Sequence, residues 1–548
     1  MSLKFTALSG TTGVTQNLYI YEYGGDLIIV DCGVGFPESE MYGVDLVIPD
    51  FSYILQNKDR LRGILITHGH EDHLGALPFL IRNGNAPIYS TKLVAGFIKD
   101  KFSEYKIKDF SLKVFDPEKD VLQLGVFKVT PFRISHSVPD SVGYIIDTPE
   151  GRVFHAADFK FDWTPVDGRP FDINKAASYS QNVLALASDC LGSTTPGYTE
   201  SEKEIEGRIE NIVRKAHGQV FFTTISSNIS RIQQAMNVAA GLGRKVAFIG
   251  RSIEAKAEIA KNLGYLHYPA DVMAYHKDLK KLPNDKRMYI ISGSYGQSGS
   301  ALYRLSLGEH EFLKSETGDT VIFSGDPAPP GSKDNVDFVV DRLIEQNLDV
   351  HYYDVQEDLH VSGHASQQDI LMLASVVNPK YFMPIGGTVR HMRAYKDIMA
   401  KRGVPATRIF ELGAGGVVEF EGGQAKLGKD IPTQEVLVDG LGIGDVGNVV
   451  LRDRQRLAQD GIAIILIEID RLGEKLIAEP EIISRGFVFQ GKMKNLLYDA
   501  SRELGDEIRK KKKIDKRLVR NVAIDFLERF FYKTTGRRPM ILPLIVDI

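Results

Sequence analysis

The chain has 548 residues, more than one ordinary core organises, so several domains are expected. Its 43% apolar and 25% charged residues fit a globular protein, and no apolar run approaches the roughly 18 residues a membrane helix needs. Two cysteines, Cys32 and Cys190, cannot build a disulfide framework, and the start Met1-Ser2-Leu3-Lys4-Phe5 carries no signal-peptide pattern. Membrane, secreted and fibrous classes are therefore disfavoured, and a reducing cytoplasm is the expected compartment. The net charge of −4 is unevenly spread. Residues 501–548 hold 13 Lys or Arg against 7 Asp or Glu, which leaves −10 on residues 1–500. The run from Arg509 to Lys513 reads first as a solvated helix face, with contact to a polyanion held open.

Strand-like apolar runs alternate with amphipathic helical stretches, so the class is α/β. Strands are predicted over 27–30 and 63–67, ending at Asp31 and His68, and helical spacing follows over 73–83. Strands over 152–156 and 183–187 run into Asp158 and Asp189. Polar groups at strand carboxyl ends mark the usual place of an α/β active site. From about 200 to 355 comes a second α/β unit, with helices over 202–216 and 229–241. Its strands are predicted over 219–223, 245–249, 287–291, 319–323 and 350–353. Residues 356–415 return to motif-bearing segments like those of the first 190, the pattern of a domain inserted into a loop of another. Residues 422–432 read as a connector, and a small α/β unit occupies 450–548.

The densest chemistry is Thr67-His68-Gly69-His70-Glu71-Asp72-His73, three imidazoles and two carboxylates within six residues. His and Asp are natural ligands for zinc or manganese. A helix aligns only i, i+3 and i+4 on one face, so this spacing demands a loop wrapped around the metal. His136, in Ser135-His136-Ser137 after a strand-like run, suits a further ligand, and Asp158 suits a carboxylate shared by two cations. Taken singly, each reads better as a structural residue.

With these motifs in order, the sequence resembles the metallo-β-lactamase superfamily: Asp31, His68 to His73, His136 and Asp158 match its first four motifs. The inserted domain and His360-Val361-Ser362-Gly363-His364-Ala365 narrow the resemblance to the β-CASP nucleases, and over essentially the whole chain to the ribonuclease J family. Further supporting stretches are Glu40 to Asp50, Asp439 to Gly447 and Arg537 to Pro543. The resemblance implies an αββα sandwich (1–198, completed by 356–432), an inserted β-CASP α/β domain (199–355), a linker (433–449) and a C-terminal oligomerisation domain (450–548). It implies two zinc ions. His68, His70 and His136 would hold the first, Asp72 and His73 the second, and Asp158 would bridge them, with Asp31 supporting the ligand loop from behind. Asp72, His364 and Asp189 form the implied catalytic set, His364 giving the leaving oxygen its proton while Asp189 orients it. His360, Val361, Ser362, Gly363 and His364 would contact RNA and its 5′-monophosphate, helped by free N–H groups where a helix starts at Ser366. Ser227, Asn228 and Arg231 resemble an opposing phosphate loop. A plain N-cap loop is the competing reading there.

One departure stands out. The strand after Lys380 ends in Gly386-Gly387-Thr388, where the family carries His-Gly-Glu, so a ligand of the second ion is missing. His391 lies five residues later and is expected not to replace it. Asp72, His73, Asp158 and a water-derived ligand still give four donors, so a weakened second site is expected, open to Mn2+ or Mg2+. The implied function is a ribonuclease with 5′-to-3′ exonuclease and endonuclease activity on 5′-monophosphorylated single-stranded RNA, in RNA maturation and mRNA decay. Competing readings are a catalytically weakened RNA-binding subunit, a DNA-processing β-CASP nuclease and a small-ester hydrolase. Relatives imply a homodimer or homotetramer, other RNA-decay proteins as partners, and a structural Ca2+ near Tyr42 to Asp45 and Asp439.

Overall fold

The computed structural model describes all residues except 39, 326–331, 354–358, 441, 471–474, 488–493 and 512–513. Lys512 and Lys513 of the basic run, and the expected boundary at 355/356, lie outside the described residues. The chain divides into two units, Met1–Phe36 with Leu46–Val436, and Pro37–Asp45 with Leu437–Ile548.

Two sheets face each other in the first unit. One has eight strands in the order Gln424–Leu427, Gly416–Glu421, Leu3–Ser9, Leu18–Tyr23, Asp26–Val30, Leu61–Leu65, Ile88–Ser90, Leu112–Val114. The other has six, in the order Tyr381–Ile385, Val183–Asp189, Gly151–Ala156, Val142–Thr148, Phe127–Arg133, Leu122–Leu124. Alternation along the strands sends Phe5, Tyr21 and Ile28 from the first and Val129, Tyr144 and Met383 from the second into one buried core. Leu373, Met392 and Tyr395, on helices Gln367–Val377 and Val389–Lys401, pack against Phe132, Phe154 and Leu186 on the outer face of the second sheet. This is the expected α/β sandwich.

The inserted domain carries a parallel five-stranded sheet in the order Lys245–Ile249, Arg287–Ile291, Val220–Thr223, Thr320–Phe323, Asp349–His351. Its central strand is wholly buried, as expected of a parallel sheet covered on both faces. The chain leaves the sandwich after Val183–Asp189 and returns in Tyr381–Ile385, which pairs beside it in parallel with Asp189 opposite Ile385. That register sets Asp189 and Gly386 at neighbouring strand ends.

Three expectations need correction. The helix over 73–83 is broken into Glu71–Leu74 and Leu77–Ile81, because Ala76 turns its N–H to the Cys32 carbonyl at 2.9 Å and Pro78 has none to give. The expected connector opens with a hairpin turn at Gly422 and Gly423, φ +58° and +71°, and supplies the sheet-edge strand Gln424–Leu427. The expected linker over 433–449 contains the paired strands Val436–Asp439 and Gly442–Ile443.

The second unit also claims residues 37–45. Asp45 donates its N–H to Val438 O at 2.9 Å and accepts the Gly440 N–H at 2.8 Å. Arg454 binds both the Tyr42 carbonyl and the Asp439 carboxylate, so a guanidinium already meets the charge of one expected calcium ligand. Strand Ile462–Ile469 sits between Glu481–Arg485 and Met540–Asp547. Ile465 and Ile467 on its inner face meet Leu504 and Leu527 of helices Lys494–Arg509 and Lys516–Thr535. Among the described residues no helix is long and apolar enough to cross a membrane.

Candidate metal centre and catalytic site

The ligand-bearing loop follows strand Leu61–Leu65 and is fastened from behind. Asp31, buried at the end of its strand with φ +63°, accepts the Thr67 N–H at 2.8 Å, the Thr67 hydroxyl and the His73 Nδ1–H at 2.7 Å. Because the Thr67 hydroxyl gives its proton to Asp31, its oxygen can accept His68 Nδ1–H at 3.0 Å. His136 Nδ1–H donates to the Gly363 carbonyl at 2.8 Å. Each contact fixes a ring by its Nδ1 and turns Nε2 to a common centre. Gly33 packs so closely under the loop that a Cβ there would fall on the Asp72 carbonyl.

Asp158 Oδ2 is that centre. It lies 3.3 Å from His73 Nε2, 3.6 Å from His68 Nε2, 3.8 Å from His136 Nε2 and 3.9 Å from His364 Nε2. Asp72 Oδ2 stands 3.4 Å from His73 Nε2. Among the described residues, three donor sets have their ligand atoms within 4.8 Å of one another: His68, His70 and His136; His68, His73 and Asp158; Asp158, Asp189 and His364. The first is the set implied for one ion; the second shares His73 and Asp158 with the set implied for the other but holds His68 in place of Asp72. His68 Nε2 and His136 Nε2 are buried without a hydrogen-bond partner, an arrangement that costs free energy unless a cation satisfies them. Burial holds both imidazoles well below their usual protonation range. At His73 burial works the same way, but the carboxylates of Asp158, Asp72 and Asp31 prevail and lift it well above that range. The pocket attracts positive charge, and its donors fit a bound metal ion.

On the opposite wall, His364 Nδ1–H donates to Asp189 Oδ2 at 2.8 Å. Burial disfavours the imidazolium, yet Asp189 and Asp158 outweigh it and raise His364 to about 9. The inserted domain reaches the site through Ser227, whose Oγ lies 2.8 Å from His70 Nδ1, while Ser137 Oγ meets the other ring nitrogen at 2.7 Å.

Residues 11–190 match the metallo-beta-lactamase superfamily, and 217–343 the ribonuclease J beta-CASP domain. Residues 352–408 match the Zn-dependent metallo-hydrolase RNA specificity domain, and 449–548 the ribonuclease J C-terminal domain. The chain is 36% identical to Ribonuclease J2 of Bacillus subtilis (strain 168), across 100% of this chain and 99% of that one. It belongs to the ribonuclease J family. Ribonuclease J 1 of Streptococcus pyogenes serotype M3 is 36% identical over 98% of this chain and 97% of its own. Ribonuclease J 2 of Staphylococcus aureus (strain NCTC 8325 / PS 47) is 32% identical over 100% and 98%. A protein of unknown function from Enterococcus faecalis V583 shares the fold, with TM-score 0.52 and 14% identity over 71% of this chain and 95% of that one.

Within this ribonuclease J chain some expected substrate contacts are placed otherwise. Arg231 is fully buried. Its guanidinium binds Glu202 Oε2 at 2.6 Å, Gln234 Oε1 at 2.9 Å and the Leu359 carbonyl at 3.2 Å, leaving nothing for a phosphate. Asn228 Oδ1 accepts the Arg231 N–H and caps helix Ile229–Gly241, which is the plain N-cap reading. The N–H groups at the Ser366 helix start are also taken: Ser366 by Asp369 and Thr199, Gln367 by Thr195 O, Gln368 by Gly197 O. No free donor remains there for a phosphate among these three residues. Gly363 instead approaches His136 so closely that a Cβ would meet the ring at 2.6 Å, and Ser362 Oγ accepts the His364 N–H. Val361 is buried, and His360 Nδ1 is buried without a partner.

Gly386 has φ +69°, and a Cβ built there would stand 3.8 Å from Asp158 Oδ1 and 3.7 Å from Asp189 Oδ1. A side chain at 386 would enter the site. His391 is committed elsewhere: its Nδ1 meets the Thr388 N–H at 3.1 Å in a capping interaction, and Arg390 Nε approaches Nε2 at 3.3 Å. Asn17, Tyr19, Gly33, Lys160 and Glu202, unremarked in the sequence, all support or border the centre.

Proposed function

We propose that this chain is a two-metal ribonuclease that degrades 5′-monophosphorylated single-stranded RNA from 5′ to 3′ and also cuts internally, in RNA maturation and mRNA decay. The observation that carries the reading is one carboxylate oxygen, Asp158 Oδ2, set within 3.9 Å of four imidazoles, one of them bonded to Asp189. His68, His70 and His136 would hold one zinc ion, Asp72 and His73 the other, and Asp158 both. When bound, such ions activate water near neutral pH and neutralise the phosphodiester. Asp31, Thr67 and Gly363 hold the ligand rings in place. His364 gives its proton to the leaving ribose oxygen, and Asp189 keeps that ring oriented and charged. Ser227 and the turn from His360 to Gly363 border the substrate. With no side chain at Gly386 the second ion binds more weakly than the first and is replaceable by Mn2+ or Mg2+.

Assembly as a homodimer or homotetramer through residues 450–548 is supported by Leu542, Leu544 and Val546, which stay solvent-exposed on alternate positions of one strand. Other RNA-decay proteins are further candidate partners. Two free, buried thiols suit a reducing cytoplasm. Gly386 also favours a second reading, a catalytically weakened RNA-binding subunit. Incubation of the full chain with 5′-monophosphorylated RNA, triphosphorylated RNA and matching DNA, with Zn2+ or Mn2+, separates these. Preferential digestion of monophosphorylated RNA, abolished in Asp72→Ala, is expected. Equal digestion of DNA and RNA would overturn the substrate assignment, and RNA binding without cleavage under either metal would favour the weakened subunit.

A further inference from the structure

The gap left by Gly386 has a polar neighbour. Asn17 is buried at the entry to strand Leu18–Tyr23, and its amide Nδ2 faces His73 Nε2 at 3.0 Å, the Asp72 carbonyl at 3.2 Å and Asp72 Oδ2 at 3.3 Å. Its backbone is pinned there. The Asn17 N–H donates to Asp72 O at 3.0 Å, and its carbonyl accepts the Gly33 N–H at 3.0 Å. On its other side the amide oxygen accepts the Tyr19 hydroxyl at 2.7 Å. Tyr19 Oη also lies 3.0 Å from the Gly10 carbonyl and receives the Gly386 N–H at 3.2 Å. Asn17, Tyr19 and Gly386 therefore form one contiguous wall of the second ion site.

Turning the Asn17 amide over exchanges its donations to Asp72 for one to the Tyr19 hydroxyl. The Tyr19 hydroxyl then donates to Gly10 O and uses its two lone pairs to accept from Gly386 N and from Asn17 Nδ2. Asn17 Oδ1 then points at His73 Nε2 and Asp72 Oδ2. Once an entering ion displaces the His73 proton, Asn17 Oδ1, His73 Nε2 and Asp72 Oδ2 form a ligand set around the cation.

We propose that Asn17 turns its amide oxygen into the second metal site and serves as the ligand that Gly386 fails to provide. The assignment rests on the two-ion reading above. A neutral amide oxygen is a harder donor than imidazole, so the substitution also shifts this site toward Mn2+ relative to Zn2+.

Binding alone tests it, without turnover. The full-length protein is stripped of metal and titrated with Mn2+, free ion being followed by electron paramagnetic resonance, for the wild type, Asn17→Ala and Asn17→Asp. Two ions of unequal affinity are expected in the wild type. Asn17→Ala should weaken the second by about tenfold or more, the scale on which metal sites respond to lost support. An unchanged first ion reports that each variant is folded. Asn17→Asp distinguishes a ligand from an N–H donor, since a carboxylate ligand tightens the second ion whereas a carboxylate beside Asp72 without a shared cation loosens it. A looser second ion in Asn17→Asp, or an unaltered one in Asn17→Ala, overturns the ligand role while the two-ion reading stands. One ion in all three proteins overturns both.

Discussion

The acid proposed on the far wall, His364, is oriented through one ring nitrogen. Asp189 holds His364 through Nδ1, and against the cost of burial Asp189 and Asp158 together raise the ring to about 9. His364→Gln should lower the turnover of RNA by about 10²- to 10⁴-fold, the usual contribution of a positioned acid. Its metal content should match wild type by atomic absorption. Asp189→Asn removes a negative charge from the imidazolium, so the ring loses its proton at lower pH. The alkaline limb of the rate profile should then move to lower pH, and an unmoved limb would show that His364 is not the group titrating. At this scale the sequence was legible where ligands are consecutive. The run from His68 to His73 announces itself because a loop places neighbours together. Asn17 and Tyr19 were silent because only the folded sheet brings them to Asp72 and Gly386, and nothing in their own neighbourhood differs from an ordinary strand start. Arg231 misled for the opposite reason: its Ser-Asn-Arg setting looks like a phosphate loop, while tertiary burial turns the guanidinium inward.

Among the elements, helix Lys203–Lys215 begins on the buried carboxylate Glu202, which meets Arg231 at 2.6 Å and Lys160 at 3.3 Å. Lys160 follows Asp158 by two residues, so this cluster ties the inserted domain to the strand end that carries the central carboxylate. Burial raises the proton affinity of Glu202, but Arg231 and Lys160 outweigh it and take the group from its ordinary 4.5 down to about 2. A depressed carboxylate stabilises the fold fully above pH 4.5 and loses that contribution as pH falls toward 2, a difference on the order of 3 kcal/mol. Denaturant titrations between pH 7 and 3 should therefore show a steeper acid loss in wild type than in Glu202→Gln, and parallel curves would refute the linkage. The five strands of the inserted domain and its helices over 202–216 and 229–241 were legible to within about two residues, whereas the helices Arg251–Leu263 and Ser332–Glu345 were not anticipated. The hairpin at Gly422-Gly423 was not, since paired glycines serve a tight turn and a linker equally well. The break at Ala76 depended on a Cys32 carbonyl far away in sequence.

For the sandwich and its inserted domain as a whole, the two are pressed together at helices Lys92–Glu104 and Arg251–Leu263. A Cβ on Gly96 would meet Ile259 at 2.6 Å, and Glu71, inside the ligand loop, lies 2.9 Å from Lys101 and 3.7 Å from Lys256 of the inserted domain. Gly96→Val should wedge these helices apart. We expect kcat/KM on RNA to fall by up to about 10²-fold, since small misplacements of a bound substrate carry that cost. Hydrolysis of bis-p-nitrophenyl phosphate, which needs no groove, should change little, and equal losses on both substrates would place the damage in the centre itself. The division into sandwich and insertion was legible from motifs that stop and resume. The attachment of residues 37–45 to the C-terminal unit was not, because it rests on contacts of Asp45 and Arg454 with partners about 400 residues away in sequence. The parallel pairing of Tyr381–Ile385 with Val183–Asp189 has a further consequence at the ribosome. Until the entire inserted domain has been synthesised, the edge of Val183–Asp189 stays open, and His364 and the strand that backs the site do not yet exist. A nascent chain therefore lacks part of the proposed site while it is still tethered to the message that encodes it, until the late segments arrive.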